Sequence, residues 1–186
     1  MSGANRFKLT LEYDGGPFQG WQRVRSGPSV QGALEDAVEK LTGARVEVIA
    51  AGRTDSGVHA CGQVAHLDLE KPFAPQRLGD ALNAHLRPHP IAVLQAEQAA
   101  PGFHARFDAV RRVYVYRIVV RRAPLTFDAG KTWRVARALD VEAMGGAASR
   151  LLGQHDFTTF RDTNCQAKSP VKNLDVAEVR REGEAI

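Results

Sequence analysis

Arg45-Val-Glu-Val-Ile-Ala-Ala-Gly-Arg-Thr-Asp-Ser-Gly-Val-His-Ala-Cys-Gly-Gln-Val-Ala-His-Leu-Asp-Leu69 is the stretch on which the fold turns. Its two ends, residues 45–51 and 63–69, carry the apolar and polar alternation that marks strands. Between them runs the loop Gly52-Arg-Thr-Asp-Ser-Gly-Val-His59, with two glycines, an arginine, an aspartate, two hydroxyls and a histidine. Glycines let a backbone turn sharply and approach a ligand, and loops held by strands are where catalytic side chains concentrate. Asp55 is the carboxylate to test first. Taken alone, Thr-Asp-Ser-Gly also reads as an ordinary Asx or Ser turn.

Upstream, Phe7-Lys-Leu-Thr-Leu-Glu-Tyr13 places Phe7, Leu9, Leu11 and Tyr13 on one strand face. Asp14-Gly-Gly-Pro breaks it, and Phe18 to Gln22 follow as a loop with two exposed aromatics. Ser29 caps a helix through Leu41, with Val30, Leu34, Ala37, Val38 and Leu41 at helical spacing and Gly43 as its stop. Downstream, Pro72 and Pro75 introduce a helix over residues 76–86, and residues 91–95 form a fourth strand. The order is β-α-β-β-α-β, the ferredoxin-like or split βαβ pattern. The expected class is α+β, with residues 1–100 as a complete N-terminal domain carrying the loop 52–59.

Residues 101–186 read as a second domain. Arg111 to Val120 is the strongest strand signal in the chain, with Arg112, Tyr114, Tyr116, Ile118 and Val120 on one face. Asp140 caps a helix from Val141 to Leu152 that stops at Gly153. Residues 156–160 and 171–180 read as strands, which makes β-α-β-β. A repeat of the first half needs a further helix and strand after Gly183-Glu-Ala-Ile186, a place that reads as a hairpin turn. The second half is therefore expected to be incomplete: a smaller design, or part of a longer protein.

The 186 residues are 44% apolar and carry a net charge of +4, enough for one sizeable core or two small ones. Residues 1–100 hold ten basic against eleven acidic side chains, and residues 101–186 fifteen against ten. The positive charge is local, and a polyanion such as RNA is its natural partner. Cys61 and Cys165 form no metal-binding or disulfide pattern. The N-terminus has no signal-like apolar run, and no stretch is long enough to span a bilayer. A soluble, cytoplasmic protein is expected.

There is no P-loop and no dinucleotide-binding glycine pattern. His85-Leu-Arg-Pro-His89 has a ligand-like spacing but is threaded with prolines and lacks companion ligands. His59 with Cys61 is too little for a cysteine–histidine catalytic pair, and His66 reads as a structural strand residue. What remains is Arg53 and Asp55 on a loop, Tyr114 and Tyr116 on a strand, and Arg106, Arg111, Arg112, Arg117, Arg121 and Arg122. Arginines neutralise phosphates, and an aromatic stacked on an unpaired base contributes about 1–3 kcal/mol. Core packing is the competing reading of the tyrosines.

The loop 52–59, with Tyr13-Asp-Gly-Gly-Pro-Phe-Gln-Gly-Trp-Gln22, Phe103-His-Ala-Arg-Phe107, Arg112-Val-Tyr-Val-Tyr116 and His155-Asp-Phe-Thr-Thr-Phe160, resembles the TruA family of tRNA pseudouridine synthases. The resemblance implies isomerisation of uridine to pseudouridine at positions 38, 39 and 40 of the tRNA anticodon stem-loop, without a cofactor or metal, by a homodimer. It implies two ferredoxin-like halves whose sheets join across a basic cleft. Asp55 corresponds to the essential aspartate, Arg53 to the arginine that enters the RNA as the base flips, and Tyr114 to the tyrosine that stacks on the uracil. Arg112 and His59, within the matched motifs, are expected to contact substrate.

Family members continue beyond the length seen here, through a segment whose arginine pairs with the catalytic aspartate. That arginine has no counterpart in this sequence, so an alternative is a catalytically incomplete chain that only binds RNA. A hydrolase using Asp55 as nucleophile is disfavoured, because no carboxylate cluster accompanies it.

Overall fold

The computed structural model describes residues 5–161 and 169–186. Cys165 and the first four residues of the N-terminal stretch lie outside the described residues. The chain divides into two compact units, Met1–Val113 and Tyr114–Ile186.

The first unit runs β1 (Asn5–Tyr13), α1 (Val30–Thr42), β2 (Ile49–Ala50), β3 (Ala60–Leu69), α2 (Pro75–Leu86) and β4 (Ile91–Gln98). Its sheet has the strand order β2-β3-β1-β4, and every pairing is antiparallel. The alternating face of β1 builds the core: Phe7, Leu9, Leu11 and Tyr13 are all buried, with Leu67 and Leu69 of β3 beside them. From the helices come Val30, Leu34, Ala37 and Val38 of α1 and Leu78, Leu82 and Leu86 of α2. Leu41 packs against this core while only partly buried.

Local signals set the helix ends. Ser29 Oγ accepts from Gly32 N at 3.1 Å, and Gly43 takes φ 77° with its N–H on Glu39 O, satisfying groups that helix termini leave unpaired. Pro75 opens α2, where a missing N–H costs nothing.

The second strand is shorter than its alternation predicts. Val48 is buried, but its N–H goes to Glu35 Oε1 at 3.3 Å and its carbonyl accepts from Gln31 Nε2 at 3.1 Å. Two side chains of α1 thus take backbone groups a sheet ladder would use, and only Ile49 and Ala50 pair with β3. Residues 103–108 lie on the first unit. Arg6 Nη1 donates to Phe103 O at 2.7 Å, and Ala105 N donates to Nδ1 of the buried His66 at 3.1 Å.

The second unit contains β5 (Ile118–Val120), β6 (Trp133–Val135), α3 (Val141–Ser149), β7 (Gly153–Asp156), a 3-10 turn (Thr158–Phe160) and β8 (Val171–Leu174). Several expectations are corrected here. Arg111 to Arg117 belong to no strand; of the predicted run, only Ile118–Val120 is a strand. An extended segment becomes a strand only when its N–H and C=O groups find a ladder, and among the described residues 111–116 have none, while Arg117 has only its carbonyl, accepting from Trp133 N at 2.9 Å. β5 is instead held by β6 and by reciprocal bonds of 2.8 Å between Ile118 and Ile186.

The β5–β6 pair is parallel, not antiparallel. The intervening residues 121–132 provide the roughly dozen-residue crossover that parallel pairing needs. β6 itself carries no alternation that marked it in the sequence. Residues 158–160 are a 3-10 turn rather than strand, with Asp156 Oδ1 accepting from Thr158 N at 2.8 Å. The strand at 171 stops at Leu174, and α3 ends at Ser149 although Asp140 caps it as expected, accepting from Ala143 N at 2.9 Å. The architecture is a mixture of helices and small sheets. No helix among the described residues is long and apolar enough to cross a membrane.

Candidate active site

Strand order brings the site together. β3 lies beside β1, and the register pairs Tyr13 with Ala60, so the loop 52–59 emerges at the end of β1 against residues 14–22. The two aromatics expected to be exposed there are buried, Phe18 at 3% and Trp21 at 2%. The Trp21 ring sits 6.2 Å from the Tyr13 ring, and the Trp21 backbone N–H donates to Thr54 O at 2.9 Å; Phe18 meets the His89 ring at 6.1 Å. These apolar rings lie under the loop, whose Arg53, Asp55 and Ser56 are exposed.

Two glycines permit that closeness. Gly20 has φ 89°, and a Cβ there would stand 2.6 Å from Thr54 O; at Gly15 a Cβ would stand 2.1 Å from Val58 O. Any larger residue would collide with the loop backbone. Gly57 N donates to Phe18 O at 3.3 Å and Val58 N to Asp55 O at 3.1 Å, which closes the turn.

Asp55 is exposed at the crest of this turn, and among the described residues its carboxylate takes no hydrogen bond or ion pair. Arg53 is exposed on the same loop. His59 is half-buried at the far end, its Nδ1 3.1 Å from Gly15 N and 3.1 Å from Asp14 Oδ1. A neutral ring accepts from Gly15; a protonated ring pairs with Asp14. Arg112 donates from Nη2 to Ala51 O at 2.7 Å, so its guanidinium lies against the loop's first residues. Tyr114 opens the second unit and is 69% exposed, and Tyr116 is 85% exposed; neither is packed in a core. Arg106, Arg111, Arg117 and Arg122 are exposed as well, whereas Arg121 is half-buried, with Nη2 donating to Pro124 O at 2.8 Å.

Three residues at the base of the loop escaped sequence reasoning. Tyr13 Oη lies 2.8 Å from Thr54 Oγ1, and Gln63 Nε2 donates to Gly52 O at 2.7 Å and to Tyr13 Oη at 3.4 Å. One signal was present: Gln63 shares the period-two parity of Ala65, Leu67 and Leu69, so a polar side chain occupies a core-facing position of an alternating strand.

Elsewhere, Arg6 Nε and Nη2 donate to the two oxygens of Asp68, each at 2.7 Å, and hydrogen bonding to the cation holds the Asp68 carboxyl below the ordinary range. His66 is held below its ordinary value by burial, with Arg6 and His104 adding to the effect. No group of three His, Cys, Asp or Glu side chains able to hold a metal ion occurs among the described residues. Cys61 is a free, exposed thiol.

Comparison with known proteins bears on this arrangement. A family model described as tRNA pseudouridine synthase matches residues 10–108 and 147–186. The tRNA pseudouridine synthase A of Nitrobacter winogradskyi is 63% identical over 181 residues, covering 97% of this chain and 71% of that protein. Those of Nitrobacter hamburgensis and Maricaulis maris are 64% and 60% identical over the same length, with 74% and 73% of each relative covered.

Proposed function

The chain belongs to the tRNA pseudouridine synthase family, and from that premise we propose that it isomerises uridine to pseudouridine in tRNA with Asp55 as the catalytic carboxylate. The observation that carries this is the exposed Asp55 side chain, unpaired among the described residues, on a loop tied to the two central strands. The reaction breaks the N1–C1′ bond, rotates the uracil, and joins C5 to C1′; the C5 proton leaves and N1 regains one, so atoms balance without redox. An ionised carboxylate serves it as a nucleophile at C1′ or C6, or as a base at the 2′ carbon. All three routes need the carboxylate open to the ribose or base.

The substrate in this reading is the anticodon stem-loop at positions 38–40. The target base must leave its stack, at a cost of a few kcal/mol. Arg53, exposed one residue before Thr54, fills the gap in the RNA, and Tyr114 stacks on the uracil. His59 and Arg112 flank the same loop and approach the bound RNA. We read the protein as cytoplasmic and as a homodimer, with a ferredoxin-like first half. The strand order β2-β3-β1-β4 supports that assignment for the first half.

Carbodiimide labelling of treated tRNA tests the reading. Pseudouridine should form with the wild type and fall about 10³-fold or more with Asp55→Asn, the scale on which loss of a catalytic group acts. Equal labelling in both would overturn it. A second reading, RNA binding without chemistry, is favoured by the exposed arginines and tyrosines of residues 106–122. It requires affinity that falls steeply with salt and no labelled product; turnover by this chain excludes it.

A further inference from the structure

We propose that Tyr13, Gln63 and Thr54 form a clamp that positions the Asp55 loop for the reaction, a reading that rests on Asp55 being the catalytic carboxylate. The clamp is built from two adjacent strands. Tyr13 ends β1 beyond an irregularity in its register with β3, and Gln63 lies within β3. The Gln63 amide has two N–H groups, and it uses them on Gly52 O at 2.7 Å and Tyr13 Oη at 3.4 Å. The Tyr13 hydroxyl in turn reaches Thr54 Oγ1 at 2.8 Å.

The loop is thereby gripped at Gly52 and Thr54, on either side of Arg53 and immediately before Asp55. Thr54 is held a second time through its carbonyl, which accepts from Trp21 N at 2.9 Å. A self-contained Asx or Ser turn needs none of these bonds, since its contacts are local. Here the partners lie 41 and 11 residues away in the chain, and they transfer the rigidity of the sheet to the residue that precedes the carboxylate. Rigid placement matters because a displacement of about 1 Å at a reacting group can cost on the order of a hundredfold in rate.

Tyr13 is 4% exposed, and a buried phenol wants a hydrogen-bond partner whatever the loop does. A merely structural bond therefore predicts lost stability, while a positioning role predicts lost turnover at unchanged tRNA binding.

The test compares Tyr13→Phe, Thr54→Val and Thr54→Ser in the full chain, with Asp55→Asn alongside. Three quantities are read: the single-turnover rate of pseudouridine formation, tRNA affinity, and amide hydrogen exchange over residues 52–57. Tyr13→Phe and Thr54→Val should each slow the rate about 10- to 100-fold, leave tRNA affinity within about twofold, and speed exchange in that segment alone. Thr54→Ser, which keeps the hydroxyl, should restore both rate and protection. The Tyr13→Phe, Thr54→Val double variant should be no slower than Tyr13→Phe alone, because Tyr13→Phe already removes the Tyr13–Thr54 bond together with the contact from Gln63. A wild-type rate for Tyr13→Phe, a Thr54→Ser variant as slow as Thr54→Val, or a loss confined to tRNA affinity would overturn the clamp. The two readings fail differently. If Asp55→Asn keeps wild-type turnover, or if no variant turns over, the exchange data alone decide the clamp: unchanged protection in Tyr13→Phe sinks it, and selective loss supports it.

Discussion

His66 is the clearest single residue whose environment governs a measurable property. Its ring, carried by β3, is buried against residues 103–105, accepts from Ala105 N, and lies 4.7 Å from the His104 ring. The charged and titratable groups acting on it are Arg6, His104, Asp68 and Glu47. In the unfolded chain a histidine takes up its proton near pH 6.5, whereas burial defers uptake by His66 to lower pH. Between those two values the unfolded chain binds more protons than the folded one, so stability falls as pH drops below about 6.5 and levels off beneath the folded value. Urea midpoints should therefore be lower at pH 5.5 than at 7.5, and the difference should shrink in His66→Gln, whose amide oxygen can still accept from Ala105. An unchanged difference would assign the slope to another group. Asp68 acts in a separate window: Arg6 depresses its pKa, so its contribution is present above the ordinary value of 3.8 and is lost as pH falls through the lower folded one.

At the scale of elements, α1 supports the loop indirectly. Its buried face closes the core beneath β1 and β3, and its Glu35 and Gln31 side chains hold Val48 just before β2 leads into the loop. Leu34→Ala should destabilise the first unit by about 2–5 kcal/mol, the range for emptying a buried leucine site. Ser29→Ala should cost about 1 kcal/mol through the lost cap. Both are read from denaturant midpoints at constant slope. Two strands depart from their sequence patterns for different reasons. β2 loses backbone groups to helix side chains, and residues 111–116 have no ladder among the described residues, although both segments alternate as strands do. At the other edge of the sheet, Asn83 of α2 donates to Val93 O at 3.0 Å and accepts from Val93 N at 2.7 Å, tying helix to strand where β4 shifts register against β1.

For the whole molecule, the division between units falls within the arginine-rich run, at Val113 and Tyr114. Val110, Val113, Tyr114, Val115 and Tyr116 are all exposed there. Backbone that is exposed and outside any ladder is what proteases enter first. Limited trypsin digestion should therefore cut earliest at Arg111, leaving a resistant fragment that starts near the N-terminus and ends at about residue 111, identifiable by its mass. First cuts within α1 or β3 would contradict the stability assigned to the first unit. The same run carries the charge and the aromatic surface that the proposed RNA contact requires, and the chain spans between 71% and 74% of the relatives compared above.

How much of this was legible beforehand follows from the range of each interaction. The order β-α-β-β-α-β, the caps at Ser29, Gly43 and Asp140, and the core faces of β1 and α1 were readable because periodicity and capping act within a few residues. The loop 52–59 and Asp55 stood out for the same reason, their chemistry being contiguous in the chain. Tyr13 with Thr54, Gln63 with Gly52, and Asp14 with His59 were not readable as pairs, because each partner is brought in by strand pairing across tens of residues. Nor was the burial of Phe18 and Trp21, which depends on the loop folding back over them. The alternation at 111–117 illustrates the other limit: a pattern records that a segment is able to be a strand, while the presence of a partner decides whether it is one. Sequence by itself determined the elements of the first unit and the family to which the chain belongs. Only tertiary structure decided what holds the Asp55 loop in place, since hydrogen bonds between distant residues exist only once the sheet has set their distance.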